Sequence, residues 1–351
     1  MNRALASALL LAIGLLAGWN LLTAGEKPAA AVIPEARPEA APSRFTVRDA
    51  FAVRDIPAGT KKVRAWFELP QEEPLQKITD LRITAPDGWR VATEPAEGNR
   101  FLYVEIADPK AATFEVTVTF ALERWESVPS SAKVRPLDAG EKEALAARLA
   151  DFPNGETTPR IREKAAEIVK GVDDPVAQGR KFYDWIIDNA EYWKKDPDHL
   201  KPSGKGSASY CMDSKTGNCT DFHALFQVFA RTVDLPTQFV MGTSLRKELD
   251  GVEQFDDPKK EPSYHCWFRT YYPGRGWVYS DISTADQNPD RRDYYFDHVD
   301  ANRVAFSFGR NFDLAPKQDG GRLNWFVKCH IEADGKEHAG WTRELTFRSV
   351  K

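Results

Sequence analysis

Cys219, His265 and Asp281 are the residues whose types and order could carry thiol chemistry. A cysteine attacks a carbonyl as its thiolate, so it needs a proton acceptor in reach. An imidazole serves best when a carboxylate fixes its tautomer. Cys219 stands in the run Gly217-Asn-Cys-Thr-Asp-Phe-His-Ala-Leu-Phe. Asn218 is a strong helix N-cap, and Asp221 three residues on makes a variant of the capping box. The first turn of a helix presents unpaired N–H groups and partial positive charge, which favour a thiolate. Asp221 works against that shift by like charge. Taken alone, Cys219 also reads as a small buried residue at a helix start.

His265 stands near the start of Ser263-Tyr-His-Cys-Trp-Phe-Arg-Thr-Tyr-Tyr272, a strand by its aromatic and β-branched content. Pro273-Gly-Arg-Gly276 is a turn, and Trp277-Val-Tyr-Ser-Asp281 is the returning strand. His265 and Asp281 therefore lie on neighbouring strands of one hairpin. Their distances from the turn are unequal, so close contact calls for a bulge or a shifted register. As an isolated pair they read better as a satisfied strand histidine and a strand-end turn residue.

The elements that must position these groups follow from periodicity. Phe222, Leu225, Phe226, Phe229 and Val233 form one apolar face behind Cys219, and Pro236 stops that helix. Upstream, Ile161, Ala165, Ile168 and Val169 recur at helical spacing. A second helix starts after Asp174-Pro175 and carries Ala177, Phe182, Trp185 and Ile186. Residues 191–217 are polar and read as a long surface loop. Ahead of the helices, residues 44–126 alternate with period two, as in Val63, Ala65 and Phe67 against Arg64, Trp66 and Glu68. Turn signals separate the runs, which points to an antiparallel β-sandwich. It holds no Cys and no His.

The chain has 351 residues, 42% of them hydrophobic, enough for a sizeable core and more than one domain. Its 48 Lys and Arg balance 52 Asp and Glu for a net charge of −4, which argues against nucleic-acid binding. Four cysteines are too few for a disulfide scaffold at this length. A rival zinc reading would collect Cys211, Cys219, His223, His265, Cys266, Cys329 and His330. Their spacings match no metal motif, and neighbouring strand residues point to opposite faces, so neither a metal nor a cofactor is expected. Cys211, Cys266 and Cys329 leave room for one disulfide of unassigned pairing.

Residues 1–25 read as an export signal, with Arg3 ahead of an apolar run, either cleaved or kept as a membrane anchor. Both outcomes place the body outside the cytoplasm: periplasmic, secreted or membrane-anchored. Residues 26–43, with Pro28, Pro34, Pro38 and Pro42, read as an Ala/Pro-rich tether. Residues 256–261 read as a solvated charged loop, and residues 317–351 as a closing β-hairpin extension.

Taken together, Gly217-Asn-Cys-Thr-Asp221, His265-Cys-Trp267 and Trp277-Val-Tyr-Ser-Asp281 resemble the core of the transglutaminase-like superfamily, with its papain-like Cys-His-Asp arrangement. Residues 234–242 are similar to its helix-to-strand segment, and the β-rich front half resembles a domain often fused to bacterial members. The resemblance implies an α+β fold: a sandwich at 44–126, a connecting segment at 127–157 and a catalytic domain at 158–316. It implies Cys219 as nucleophile, His265 as general base and acid, and Asp281 as orienting carboxylate. The substrate would be an amide of a protein or peptide, cleaved by water or transferred to an amine through a Cys acyl-enzyme. The backbone N–H of Cys219 is the natural first oxyanion donor; Tyr210 and Asn218 lie nearby, and the second donor is left unassigned. The alternative is a non-catalytic cell-envelope protein-binding module that retains the fold.

Overall fold

The structure, a computed structural model, describes residues 40–245, 252–254 and 264–350. The export signal, most of the tether and the charged loop at 256–261 lie outside the described residues.

The front half forms β1 (Ser43–Val53), β2 (Lys62–Glu68), β3 (Gln76–Thr84), β4 (Arg90–Thr93), β5 (Arg100–Ala107) and β6 (Phe114–Arg124). Helices follow: α1 (Ala139–Ala144), α2 (Ala146–Leu149), α3 (Pro159–Ile168) and α4 (Pro175–Asn189). Then come β7 (Glu191–Tyr192), α5 (Ala208–Ser214), β8 (Thr216–Gly217), α6 (Cys219–Arg231), β9 (Thr237–Ser244) and β10 (Val252–Gln254). The chain continues through β11 (His265–Tyr272), β12 (Gly276–Ser280), α7 (Ile282–Gln287) and β13 (Arg303–Phe308). It ends on β14 (Cys329–Ala333), β15 (Lys336–Glu337) and β16 (Trp341–Val350). The protein is α+β, with antiparallel sheets and a helical unit set on one of them.

The period-two runs do become a sandwich, with sheets ordered β10-β16-β1-β6-β3 and β15-β14-β2-β5-β4. Phe45, Phe51, Phe67, Leu102, Phe120 and Phe347 fill its core. Each buried side chain of this size contributes roughly 1.5–3 kcal/mol. Two readings need correction. Alternation places Trp66 and Glu68 outward, yet both are fully buried. The far face of β2 and β5 is covered by Phe312, Leu314 and Phe326, which pack on Trp66, Phe101 and Tyr103. Nor do residues 317–351 stand as a hairpin of their own. Only β14 and β15 pair as one; β14 also pairs with β2 and β16 runs along β1, one strand into each sheet. Without them β1 and β2 would be edge strands with unpaired backbone groups, and Leu345 and Phe347 complete the core. The helical unit is thus an insertion within the sandwich.

The second unit is built on the sheet β12-β11-β9-β13. α6 lies against one face of it, where Phe226 meets Phe268 of β11 at 4.2 Å between ring centroids. The other face, carrying Val240, Trp267, Tyr279 and Ala305, packs on Leu75 and Trp125 beside the sandwich. Gln76 clamps β13 there: Ala305 N–H donates to its Oε1 (2.8 Å) and its Nε2 donates to Ala305 O (3.0 Å). α4 begins where Asp174-Pro175 predicts, with the Asp174 side chain accepting from Ala177 N–H. Residues 191–217 are not one long loop, because they hold β7, α5 and β8. The ordering group is remote in sequence: the Asp221 carboxylate accepts from the backbone N–H groups of Ser203 (3.1 Å) and Ser207 (2.8 Å).

Candidate active site

Cys219 is the first residue of α6, and the cap is the one its sequence specifies. The Asn218 side chain accepts from Thr220 N–H (3.0 Å) and Asp221 N–H (3.3 Å), and Asp221 Oδ2 accepts from Asn218 N–H (3.1 Å). These bonds satisfy the second and third amides of the helix and leave that of Cys219 out of the cap. They also turn the Asp221 carboxylate toward the 203–207 turn, where backbone donors take up its charge. The apolar stripe behind Cys219 buries α6 from its first turn to Ala230, so the sulfur is held at the helix head with 4% of the residue exposed.

The structure brings all three proposed residues together. His265 Nε2–H donates to Asp281 Oδ2 at 2.7 Å, with Asp281 wholly buried. That leaves Nδ1 as the ring nitrogen for the cysteine; Cys219 and His265 favour each other's charged forms. No bulge produces this contact, contrary to the sequence expectation. β11 and β12 pair in regular register from Phe268↔Ser280 to Tyr272↔Gly276. Asp281 instead leaves the strand as the N-cap of α7, where its side chain accepts from Thr284 N–H at 3.0 Å. The turn into the helix swings the carboxylate across the end of β11.

Further donors fix Asp281. Ser283 Oγ donates to Oδ1 (3.1 Å), while Thr284 Oγ1 (2.8 Å) and Arg303 Nη1 (3.1 Å) donate to Oδ2. Arg303 is itself buried, bonded to Asp300 Oδ2 at 2.6 Å and set over the Trp267 ring. Burial alone would raise the Asp281 pKa, but His265 and Arg303 outweigh it and hold the carboxyl well below its ordinary value. Burial likewise disfavours the charged form of His265, yet Asp281 prevails and lifts it to about 9. The Cys219 thiol is brought down to about 5, chiefly by a hydrogen bond from the Cys266 thiol, then by His265, against the opposing effect of burial. Both shifts favour a thiolate–imidazolium pair beside a buried carboxylate.

Several neighbours carried no sequence signal of their own. Arg303 and Thr284 were not singled out. Cys266 and His223 entered the sequence reading through the rejected zinc set and, for Cys266, the unassigned disulfide; His223 Nε2 lies 3.7 Å from Asp281 Oδ1, and the Cys266 thiol helps lower the Cys219 pKa. Tyr192 flanks Cys219, and burial pushes its phenol up so that it stays protonated. Of the two residues near Cys219 in sequence, the Tyr210 hydroxyl donates to Lys201 O (2.8 Å), while Asn218 caps α6 through its acceptor Oδ1 (3.0 Å from Thr220 N). All four cysteines are free thiols.

A cysteine at a helix head facing a histidine and carboxylate on an antiparallel sheet is the arrangement of a papain-like fold. Residues 162–282 match the family model of the transglutaminase-like superfamily. An uncharacterized protein of Haemophilus influenzae is 22% identical over 210 residues, which cover 52% of this chain and 55% of that protein; the chain thus spans about half the length of this relative. A crystal structure of a proposed cysteine protease from Cytophaga hutchinsonii superposes with a TM-score of 0.56 at 14% identity, over 89% of this chain and 92% of that one. The latter likeness extends the shared fold beyond the matched domain to most of the described protein.

Proposed function

We propose that the protein is an exported thiol enzyme that forms an acyl-enzyme on amide bonds of proteins or peptides. The observation that carries this reading is the Cys219 thiol at the head of α6 against an imidazole whose far nitrogen is bonded to a buried carboxylate. In the proposed reaction the Cys219 thiolate attacks the amide carbon, and the oxyanion accepts a hydrogen bond from the Cys219 backbone N–H. The His265 imidazolium gives its Nδ1 proton to the leaving nitrogen as the C–N bond breaks, leaving a thioester. Neutral His265 then takes a proton from water or from a primary amine, which attacks the thioester and releases the acyl group. Asp281 keeps the ring in one tautomer throughout.

The pH dependence tests the pairing. A thiol at about 5 stays ionised above that value, so alkylation of Cys219 by iodoacetamide is expected to hold its rate from neutral pH down to about 5. Below that it falls roughly tenfold per pH unit. Acyl transfer falls additionally above about 9, where His265 loses the proton it must donate. Alkylation that instead tracks an ordinary thiol, vanishing below pH 8, together with full activity in Cys219→Ala, favours the protein-binding module. Ammonia release and amine incorporation on Gln-bearing peptides separate the outcomes: peptide cut without incorporation excludes crosslinking.

The leader-like residues 1–25 support placement outside the cytoplasm. Fractionation of cells expressing the full chain tests this, and recovery of the body with cytoplasmic markers would refute it.

A further inference from the structure

The carboxylate that anchors the His265 ring is shared with a second cation. Oδ2 of Asp281 accepts from His265 Nε2–H at 2.7 Å and, on the same oxygen, from Arg303 Nη1 at 3.1 Å. Arg303 opens β13 and is fully buried. Its Nη2 donates to Asp300 Oδ2 (2.6 Å) and its Nε to Asp300 O (3.1 Å), so the guanidinium is held in place independently of Asp281. The Trp267 ring stands 6.0 Å from the His265 ring and 4.9 Å from the guanidinium carbon, one aromatic support behind both cations. His265, Asp281, Arg303 and Asp300 thus form a chain of groups that alternate in sign, and the chemistry above uses only the first two.

We propose that Arg303 is a positioning residue that divides the Asp281 charge with His265 and so limits how tightly the imidazolium is held before it gives up its proton. This rests on the acyl-transfer reading above. In that reaction a carboxylate devoted to His265 alone would over-stabilise the imidazolium, and the Nδ1 proton would pass less readily to the leaving nitrogen. A cation bonded to the same oxygen opposes this by repelling the positive ring, and Asp300 tempers that cation in turn. Among the described residues the ion-pair partners of Asp281 are His265, Arg303 and, at 3.7 Å, His223 of α6. Burial pushes His223 down to about 3, so it stays neutral. Cys219, also on α6, favours the imidazolium, and burial keeps the Cys266 thiol of β11 protonated. The phenols of Tyr183, Tyr192 and Tyr295 feel the Asp281 charge from α4, β7 and the segment after α7, and burial keeps them protonated too. Ser283 and Thr284 of α7 add neutral hydroxyls. The opposing charge therefore comes from Arg303.

The test reads the ring itself and does not depend on turnover. The full chain is isotope-labelled at its histidines, and the His265 ring nitrogens, assigned by their loss in His265→Gln, are followed against pH by NMR. Arg303→Met keeps much of the volume beside Trp267 and should move the His265 titration up by at least about one pH unit. Asp300→Asn leaves Arg303 unopposed and should move it down. Arg303→Lys keeps the charge and should hold it close to the wild-type value. The alkaline limb of acyl transfer should follow each variant in the same direction. If Arg303 only ties β13 to α7, Arg303→Met lowers the melting temperature while the His265 titration stays in place. That result, or shifts of one sign in Arg303→Met and Asp300→Asn alike, overturns the proposal. Should Arg303→Met fail to fold, Asp300→Asn decides alone: a downward shift supports the charge sharing and an unmoved titration overturns it. Opposite shifts without any acyl transfer would leave the charge sharing standing and remove the functional reading. Acyl transfer with a His265 titration that ignores these variants would do the reverse.

Discussion

Asp281→Asn is expected to lower acyl transfer by roughly 10⁴-fold, the scale seen when a triad carboxylate loses its charge but keeps its shape. The reasoning rests on what holds the two ions. His265 is partly buried, and desolvation alone would drive its pKa down; the Asp281 charge is what lifts it to about 9. With Asn at this position the imidazole becomes neutral near pH 7, the thiolate loses its counter-ion, and the alkylation curve of Cys219 should move up from about 5 toward an ordinary thiol. Stability should change too, and with a definite sign. The depressed Asp281 pKa contributes stability that is present above its unfolded value of about 3.9 and is lost as pH falls through the folded one. The raised His265 pKa contributes stability that is full below about 6.5 and is lost as pH rises through the folded value. The Asn variant lacks both at pH 7. Arg303 keeps Asp300, so the fold should survive. If Asp281 serves only to cap α7 and anchor Arg303, the melting temperature falls while the alkylation curve stays in place.

Arg343→Met should be the most damaging change away from the site, costing about 3–5 kcal/mol, as when one partner of a buried ion pair is removed. Arg343 is fully buried in β16. Its Nε donates to Asp49 Oδ1 of β1 at 2.8 Å, and Nη2 donates to Glu68 of β2. One guanidinium thus ties the two sheets across the sandwich core and neutralises carboxylates on both. Burial already pushes Glu68 well above its ordinary pKa even with Arg343 present. Removing the cation strands two acids, and both must be protonated or hydrated. Urea denaturation should show a midpoint lowered in proportion, and Asp49→Asn with Glu68→Gln should recover part of the loss in the Arg343→Met background. An unchanged midpoint would mean that water reaches these carboxylates.

The two predictions fall on opposite sides of a division between local and long-range information. What is encoded within a few residues was legible in the sequence. Asn218 and Asp221 specify the start of α6 and Asp174-Pro175 the start of α4, because caps and proline act through adjacent backbone groups, whereas α6 ends at Arg231, ahead of the stop expected at Pro236. Alternation likewise marked the sandwich strands, and Cys219, His265 and Asp281 were identifiable by type, order and element. Tertiary structure decided the rest. A period-two pattern says which residues share a face but not whether the outer face is covered, so Trp66 could not be read as buried, nor could Glu68, whose partner Arg343 lies at the far end of the chain. The partner of β1 lies at the far end of the chain, and nothing local to residues 341–350 says that they pair there. Hairpin counting called for a bulge at His265, whereas the contact comes from Asp281 stepping out of its strand to cap α7. Arg303, and the approach of Cys266 to His223, arise where β13, β11 and α6 converge. By itself the sequence determined which residues could do thiol chemistry and, for Cys219 and His265, on which elements they sit. The packing of those elements decided their charge states, because ionisation in a buried site depends on groups brought close in space from distant parts of the chain.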